Sequence, residues 1–455
     1  MRLLLFAISF LPFNFNESEK PSEYEPINSV FPLHWKTKMG SASFKTNITF
    51  VNNNIVIGSN GSDFLDYYFY DNESGVYVIN NKSGNIMNHF ANENFGDMDV
   101  NGVIQYDGNL YFGNDNDEFL CTTLNGKIIW RNPTSGDIEH EPSLVNNKGK
   151  IQVVYASESG EVKAVDCITG KVIWSYYTPN FNGWRPGDNR LLFKVATYFS
   201  NTNSFYTKPL LVNIDNDGVS DLIYLTYDSK IYAISGATGK LLWLFKSDKS
   251  LEHTIFQVGS GDNISFGFFY RDTESPFSNN LIFINKKGEQ ISNKAINRNL
   301  NGDKWYVEST MGLNTFKDAD KSIYIAGPDS LTVLDEKGNY QNYLRAEKFQ
   351  YSDMYIKDKT ANRNFRESLV GDKKFSFGND KNCMMVLNQH DFAYYSKGFI
   401  EIFSLTDHKV LLRLELPAAS EMPPVITDVD KDGYLDLLIN CYDGYLYCYN
   451  LKVKA

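Results

Sequence analysis

Apolar and polar positions alternate along "VKAVDCITGKVIW" (Val162 to Trp174), break at a turn rich in Asp, Thr and Gly, and resume in a short apolar run that ends in Trp. The same pattern returns as "IYAISGATGKLLW" from Ile231 to Trp243. A period of two sends successive side chains to opposite faces of a strand, so each phrase predicts a strand, a tight turn and a second strand. Weaker copies are "VYVINNKSG" from Val76, "FLCTTLNGKIIW" from Phe119, "LIFINKKG" from Leu281, "LTVLDEKG" from Leu331, "IEIFSLTDHK" from Ile400 and "LYCYNLK" from Leu446. Their starts are spaced by 43 to 69 residues, a drifting period that suits propeller blades with loop insertions better than a tight solenoid.

Two residue types in the copies have a physical reason. Gly84, Gly126, Gly170, Gly239, Gly288 and Gly338 stand where the turn demands a positive φ. Trp130, Trp174 and Trp243 each follow that glycine by four residues, where a flat ring can cover the seam between neighbouring sheets. A further strand pair precedes most copies, as in "DLIYLTYDSKIYAI" from Asp221, so each unit offers about four strands. Aromatic residues make up 15% of the chain, which favours strands, and no helical periodicity supports an α/β alternative. The expected fold is all-β, an eight-bladed β-propeller with seven blades as the alternative. It forms one domain over residues 30–455, with insertions near 177–206 and 343–376. The first insertion carries Trp184 beside Arg185, a pairing found in binding hot spots, although the plainer expectation is that Trp184 packs the insertion onto the propeller rim.

The last copy lacks the "GKxxW" strand of the best ones, and "PLHWKTK" near the N-terminus offers a strand with Trp35 in the place of the repeat Trp. That strand is expected to close the ring, which would remove two exposed sheet edges.

The common form of the two best copies, A-x4-TGK-x2-W, resembles the repeat of the pyrroloquinoline-quinone-type β-propellers. That superfamily includes quinoprotein alcohol dehydrogenases and non-enzymatic outer-membrane assembly lipoproteins of the BamB type. The resemblance runs from about residue 35 to 452 and implies architecture, because the repeat is structural and a fold does not fix a function. The quinone enzymes' equipment is missing: no two cysteines are adjacent and no CxxCH haem motif occurs, so pyrroloquinoline quinone is not expected as a cofactor.

Other chemistry is also thin. Cys121, Cys167, Cys383, Cys441 and Cys448 include no CxxC pair. A regular hairpin turning at Asp443-Gly444 would set Cys441 opposite Leu446 and leave Cys448 out of register, so free, mostly buried thiols are expected. The six histidines show no HxH or HxxxH spacing. His140 alone lies among acids, in "DIEHEPS", where Glu139 and Glu141 would share the strand face opposite the imidazole and make a polar lead-in to an inner strand rather than a catalytic dyad. No GxSxG or phosphate-binding glycine loop is present.

One sharper signal remains. "NIDNDGVSD" and "DVDKDGYLD" carry oxygen side chains at positions one, three, five and nine: Asn213, Asp215, Asp217 and Asp221 in the first, Asp428, Asp430, Asp432 and Asp436 in the second. Gly218 and Gly433 permit a tight turn around one point, and Val219 and Tyr434 could each add a carbonyl. Such a hard-oxygen cage suits Ca2+, while an EF-hand is excluded because position twelve is Tyr224 or Ile439 instead of Glu. The loops resemble the calcium loops of FG-GAP and integrin-type propeller repeats; the alternative is a solvated acidic turn. "DMDVNGVIQ" from Asp97 to Gln105 is a weaker third candidate.

The first 20 residues, one Arg before an apolar run that then turns polar, have the layout of a signal peptide, and no segment predicts a transmembrane span. Net charge is -11, which disfavours nucleic acid as a partner. The expected function is therefore an exported, secreted or periplasmic scaffold that is not an enzyme, stiffened by Ca2+ and binding a protein or glycan. Alternatives are a carbohydrate-active enzyme, since some rhamnogalacturonan lyases are calcium-bearing propellers, and, further off, a quinone-dependent dehydrogenase.

Overall fold

In the computed structural model the described residues are 25–61, 72–90, 98–181, 205, 207–226, 228–247, 250–259, 261–271, 279–296, 315–317, 322–327, 330–335, 339–345, 368–389 and 398–455. The expected signal peptide, Trp184, Arg185 and most of both predicted insertions lie outside them. Among the described residues the strands form eight sheets, seven of four strands and one of six. Most are antiparallel meanders in chain order. Ser143–Asn147, Lys150–Ala156, Glu161–Asp166 and Val172–Tyr177 make one, and Leu210–Val212, Asp221–Leu225, Lys230–Ile234 and Leu241–Lys246 make the next. The sole described α-helix is the four-residue Ile27–Val30. Among the described residues no helix is long and apolar enough to cross a membrane.

Burial follows strand order. The second and third strands of a sheet are covered on both faces, as in Lys150–Ala156 and Glu161–Asp166, whose Val153, Val154, Val162 and Ala164 are fully buried. The fourth strand is wet on one side: Ile173 is exposed while its neighbour Trp174 turns inward. β-branched and aromatic residues fill these two-sided positions because they pack well on a pleated surface.

The cores lie between sheets. One cluster joins Val154, Ala164 and Trp174 to Leu222, Tyr224 and Ile234 of the following sheet. Another joins Tyr111 and Phe119 to Val153 and Tyr155, with Phe119 and Tyr155 stacked at 3.9 Å. Clusters of the same kind link each remaining neighbouring pair, including Leu438, Leu446 and Trp35 with Ile55, Ile57 and Tyr77.

The repeat residues make these seams. The indole Nε1–H of Trp35, Trp130, Trp174 and Trp243 donates to the backbone oxygen of Asn81, Cys167, Gly236 and Lys286, each in the following sheet. Each ring lies against the turn glycine of that sheet, Gly84, Gly170, Gly239 and Gly288, so closely that a Cβ there would fall 2.4–2.7 Å from ring carbons. Gly84, Gly126, Gly170, Gly239 and Gly288 all have positive φ, from 68° to 79°.

The predicted N-terminal strand is Leu33–Lys38, and it pairs antiparallel with Tyr445–Lys454 as the outer strand of the last sheet. The packed chain begins slightly earlier: Glu25–Pro26 pairs parallel with Lys409–Glu415, and Ile27 is buried. The register expected at the last hairpin needs correction. Cys441 faces Tyr445 instead of Leu446, and Cys448 faces Leu438, because the turn spans three residues with Gly444 at φ 81° instead of two. All five cysteines are free and buried, as expected.

Candidate metal centre

Both acidic loops join the first strand of a sheet to the second. The first runs from Leu210–Val212 into Asp221–Leu225 and the second from Val425–Thr427 into Tyr434–Cys441. Their backbones follow one plan. Position four is left-handed in each, Asn216 at φ 63° and Lys431 at φ 64°, and so is the glycine at position six, Gly218 at 88° and Gly433 at 91°. At position five, Asp217 Oδ1 and Asp432 Oδ1 accept the N–H of Val219 and Tyr434, both at 2.8 Å. At position three, Asp215 and Asp430 accept the N–H of Asp217 and Asp432 at 3.1 Å. Position nine closes the loop from below, where buried Asp221 and Asp436 accept the N–H of Ile214 and Val429.

The loops differ in how far their oxygens converge. In the second, carboxylate oxygens of Asp428, Asp430 and Asp432 lie within 4.8 Å of one another, the spacing around a single cation, whereas Asp215, Asp217 and Asp221 form no such group. Val219 is buried and Tyr434 exposed. The half-buried Asn213 keeps an Oδ1 that lacks a hydrogen-bond partner and stands at position one of its loop. Burial pushes the carboxyls of Asp221 and Asp436 up to about 6, and neighbouring carboxylates, Asp215 beside the first and Asp430 and Asp432 beside the second, push the same way.

Asp436 does not join the three outer carboxylates. It groups instead with His34 and Cys448, one ligand atom of each lying within 4.8 Å of the others, and its Oδ1 is buried without a partner. The sequence pattern misses this grouping because His34 and Cys448 come from opposite ends of the chain; the one available signal is that Trp35, read as a repeat Trp, sets His34 beside the last copy. The third candidate loop is placed differently. Asn101 lies ahead of the first strand of its sheet, Val103–Tyr106, where it bonds Glu139 and Asn60, so the stretch has no place between first and second strands.

A separate polar band stands at the lead-ins to inner strands. Lys45 pairs with Glu139, which also accepts from Asn101 at 3.2 Å, and Lys208 pairs with Glu141. Between the two glutamates His140 is buried, its Nδ1 2.8 Å from the Glu141 carbonyl. The polar lead-in read from "DIEHEPS" is thus in place, with the carboxylates engaged by lysines.

Residues 72–244 match the family model described as outer membrane protein assembly factor BamB. No curated protein matches the chain. Among solved structures it is similar to Sqt1 of Saccharomyces cerevisiae, with TM-score 0.55 and 10% identity over 92% of this chain and 98% of that one. It is similar to the Dos1 propeller, with TM-score 0.55 and 12% identity over 94% and 97% of the two chains. The quinohemoprotein alcohol dehydrogenase of Comamonas testosteroni gives TM-score 0.52 and 11% identity over 94% of this chain and 77% of that one. At such identities the likeness is one of fold, an all-β propeller.

Proposed function

We propose, from the premise that this chain is a β-propeller protein built of PQQ-type repeats, that it is an exported binding scaffold of eight blades whose acidic loops hold Ca2+. The observation that carries the scaffold reading is the match of residues 72–244 to a family named for outer-membrane assembly. By that likeness the partner is a protein met in the cell envelope or outside the cell, with a glycan as the other class the face could accept. Among the described residues eight seams, one of them between the last sheet and the first, support a closed ring.

Calcium fits the residues present. Asp428, Asp430 and Asp432 would supply side-chain oxygens and Tyr434 its carbonyl; Asn213, Asp215, Asp217 and Asp221 with the Val219 carbonyl would form the weaker site. The convergence of three carboxylates supports the first assignment, and the orphan oxygen of Asn213 supports the second. Carboxylates at 4 to 5 Å repel by about 1 kcal/mol per pair in waterlike surroundings and by more where partly buried. A divalent cation reverses that sign and ties the first strand of the sheet to the second. Its binding would add about 2.7 kcal/mol to folding at a hundredfold excess over Kd.

Calorimetric melting in chelator and then in millimolar Ca2+ tests the loops. The expected result is a higher Tm with Ca2+, most of the gain lost in Asp430→Ala and a smaller part in Asp215→Ala. Equal melting temperatures in both buffers overturn the calcium reading. For the scaffold, crosslinking in the native host followed by reconstitution from two purified components should give a saturable complex. A chain that binds no partner but reduces dye with an alcohol once quinone is added is an enzyme, and the reading fails.

A further inference from the structure

We propose that His34, Asp436 and Cys448 form a second metal site, distinct from the outer oxygens of the loop, that takes a borderline cation of the Zn2+ class and ties the N-terminal strand to the last sheet. The three donors come from three adjacent strands: His34 from Leu33–Lys38, Cys448 from Tyr445–Lys454 and Asp436 from Tyr434–Cys441. One nitrogen, one oxygen and one sulfur lie within 4.8 Å of each other. Independently of that grouping, Asp436 is fully buried and its Oδ1 has no hydrogen-bond partner, which a folded protein rarely tolerates without a ligand or water. The three donors leave the fourth tetrahedral position to a water from the solvent side, where His34 is exposed.

The position of His34 is set by the repeat. The residue before the docking Trp falls at an irregularity in the pairing, between Leu33 and Trp35, and has no residue paired opposite it. The sheet of the first acidic loop is an internal comparison. There Asp221 occupies the place of Asp436, but Ala233 stands where Cys448 does, opposite the docking Trp, and Leu242 stands where His34 does. Two loops of one backbone plan thus differ in the two residues that change a hard-oxygen environment into a mixed one. Thiolate and imidazole suit Zn2+ and its neighbours in the transition series and are poor ligands for Ca2+.

Tetrahedral coordination at bond lengths near 2.0 to 2.3 Å sets donors roughly 3.5 Å apart, so donors that lie within 4.8 Å of one another need at most a small contraction to close on one ion. The exposed His34 can supply that movement. Binding replaces the Cys448 S–H bond with a metal–sulfur bond, and the proton leaves to solvent. One thiolate and one carboxylate then neutralise the dication, with His34 as a neutral ligand.

Co2+ is the probe, added to the full chain in millimolar Ca2+ so that the oxygen loops are supplied with their own ion. One equivalent should produce tetrahedral visible bands with a near-ultraviolet thiolate-to-cobalt band, and Zn2+ should displace it. Cys448→Ser should abolish the thiolate band, and His34→Ala should weaken Co2+ binding at least tenfold. Since His34 is exposed, that variant keeps the test open if the buried Cys448→Ser does not fold. Asp428→Ala should keep the thiolate band, so this proposal and the calcium reading stand or fall separately. Co2+ bound without a thiolate band, or with unchanged affinity in His34→Ala, overturns the site.

Discussion

His140 shows how much of a residue's chemistry is set by where its strand begins. Burial lowers its proton affinity from the ordinary value near 6.5 to about 4, with the Glu141 carbonyl and the Glu139 carboxylate pulling the other way and Lys208 and Lys45 reinforcing the drop. A proton on this ring would sit in a dry site beside Tyr224, whose ring centre is 5.8 Å away. Between pH 4 and 6.5 the unfolded chain therefore binds a proton at this residue that the folded one refuses. Stability from this group is full above 6.5 and is lost as pH falls toward 4, by up to about 3 kcal/mol. Asp221 and Asp436 work in the opposite direction, since carboxyls raised to about 6 favour the fold at low pH. Urea unfolding of the wild type and of His140→Gln at pH 4.5 and 7 separates the contributions: the variant should lose less stability on acidification, and equal losses contradict the assignment. "DIEHEPS" announces a polar lead-in but not Lys45 or Lys208, which stand 94 and 67 residues from their glutamates. Partners that distant leave no local pattern.

At the scale of elements, the turn glycine of one sheet and the Trp of the sheet before it work as a unit. Gly239 has φ 70°, and a Cβ added there would lie 2.4 Å from a ring carbon of Trp174, whose indole N–H already holds the Gly236 carbonyl. Gly149 has φ 89° and open space where its Cβ would go. Alanine at either position meets the left-handed backbone strain, about 1 kcal/mol. At 239 it must also displace an indole packed between two sheets, so the total should reach about 3 kcal/mol or more. Chemical denaturation of Gly239→Ala and Gly149→Ala gives the comparison; equal costs would mean that the Trp seam carries no energy. This unit is the most legible part of the chain, because glycine and tryptophan recur at a fixed spacing of four and each has a single physical reason to be there. The turn "YDGY" is less legible. Read as a two-residue hairpin it gives the wrong register, since the observed three-residue turn sets Cys448 opposite Leu438, and a one-residue change in turn length shifts every pair that follows. The acidic loops fall between these cases: their backbone plan follows from the glycine and the aspartates, whereas the turning of Asp436 toward His34 depends on a strand from the other end of the chain.

For the molecule as a whole, the decisive contact joins residues more than four hundred positions apart. Leu33–Lys38 is the outer strand of the sheet that ends the chain, with Trp35 opposite Cys448 and Lys36 over the ring of Tyr445 at 4.3 Å. The same strand reaches into the first sheet, where the Trp35 indole donates to Asn81 at 3.0 Å and the Thr37 hydroxyl to Gly84 at 2.5 Å. Every sheet is joined to its neighbours by a buried cluster, so an opening at this seam exposes an edge strand and two half-clusters at once and should spread through the rest. Removing residues 30–40 strips Trp35, buried to 6% exposure, from a core that includes Leu438, Leu446 and Tyr77. Truncating one buried Trp alone costs about 3 to 5 kcal/mol, a large share of the margin of an ordinary fold. Trp35→Ala should therefore lower the Tm of the whole protein in one cooperative transition, and deletion of 30–40 should lower it further or prevent folding. If scanning calorimetry of Trp35→Ala instead shows the full-length melting temperature, or an early step confined to a small fraction of the enthalpy, the two ends of the chain do not hold the molecule together.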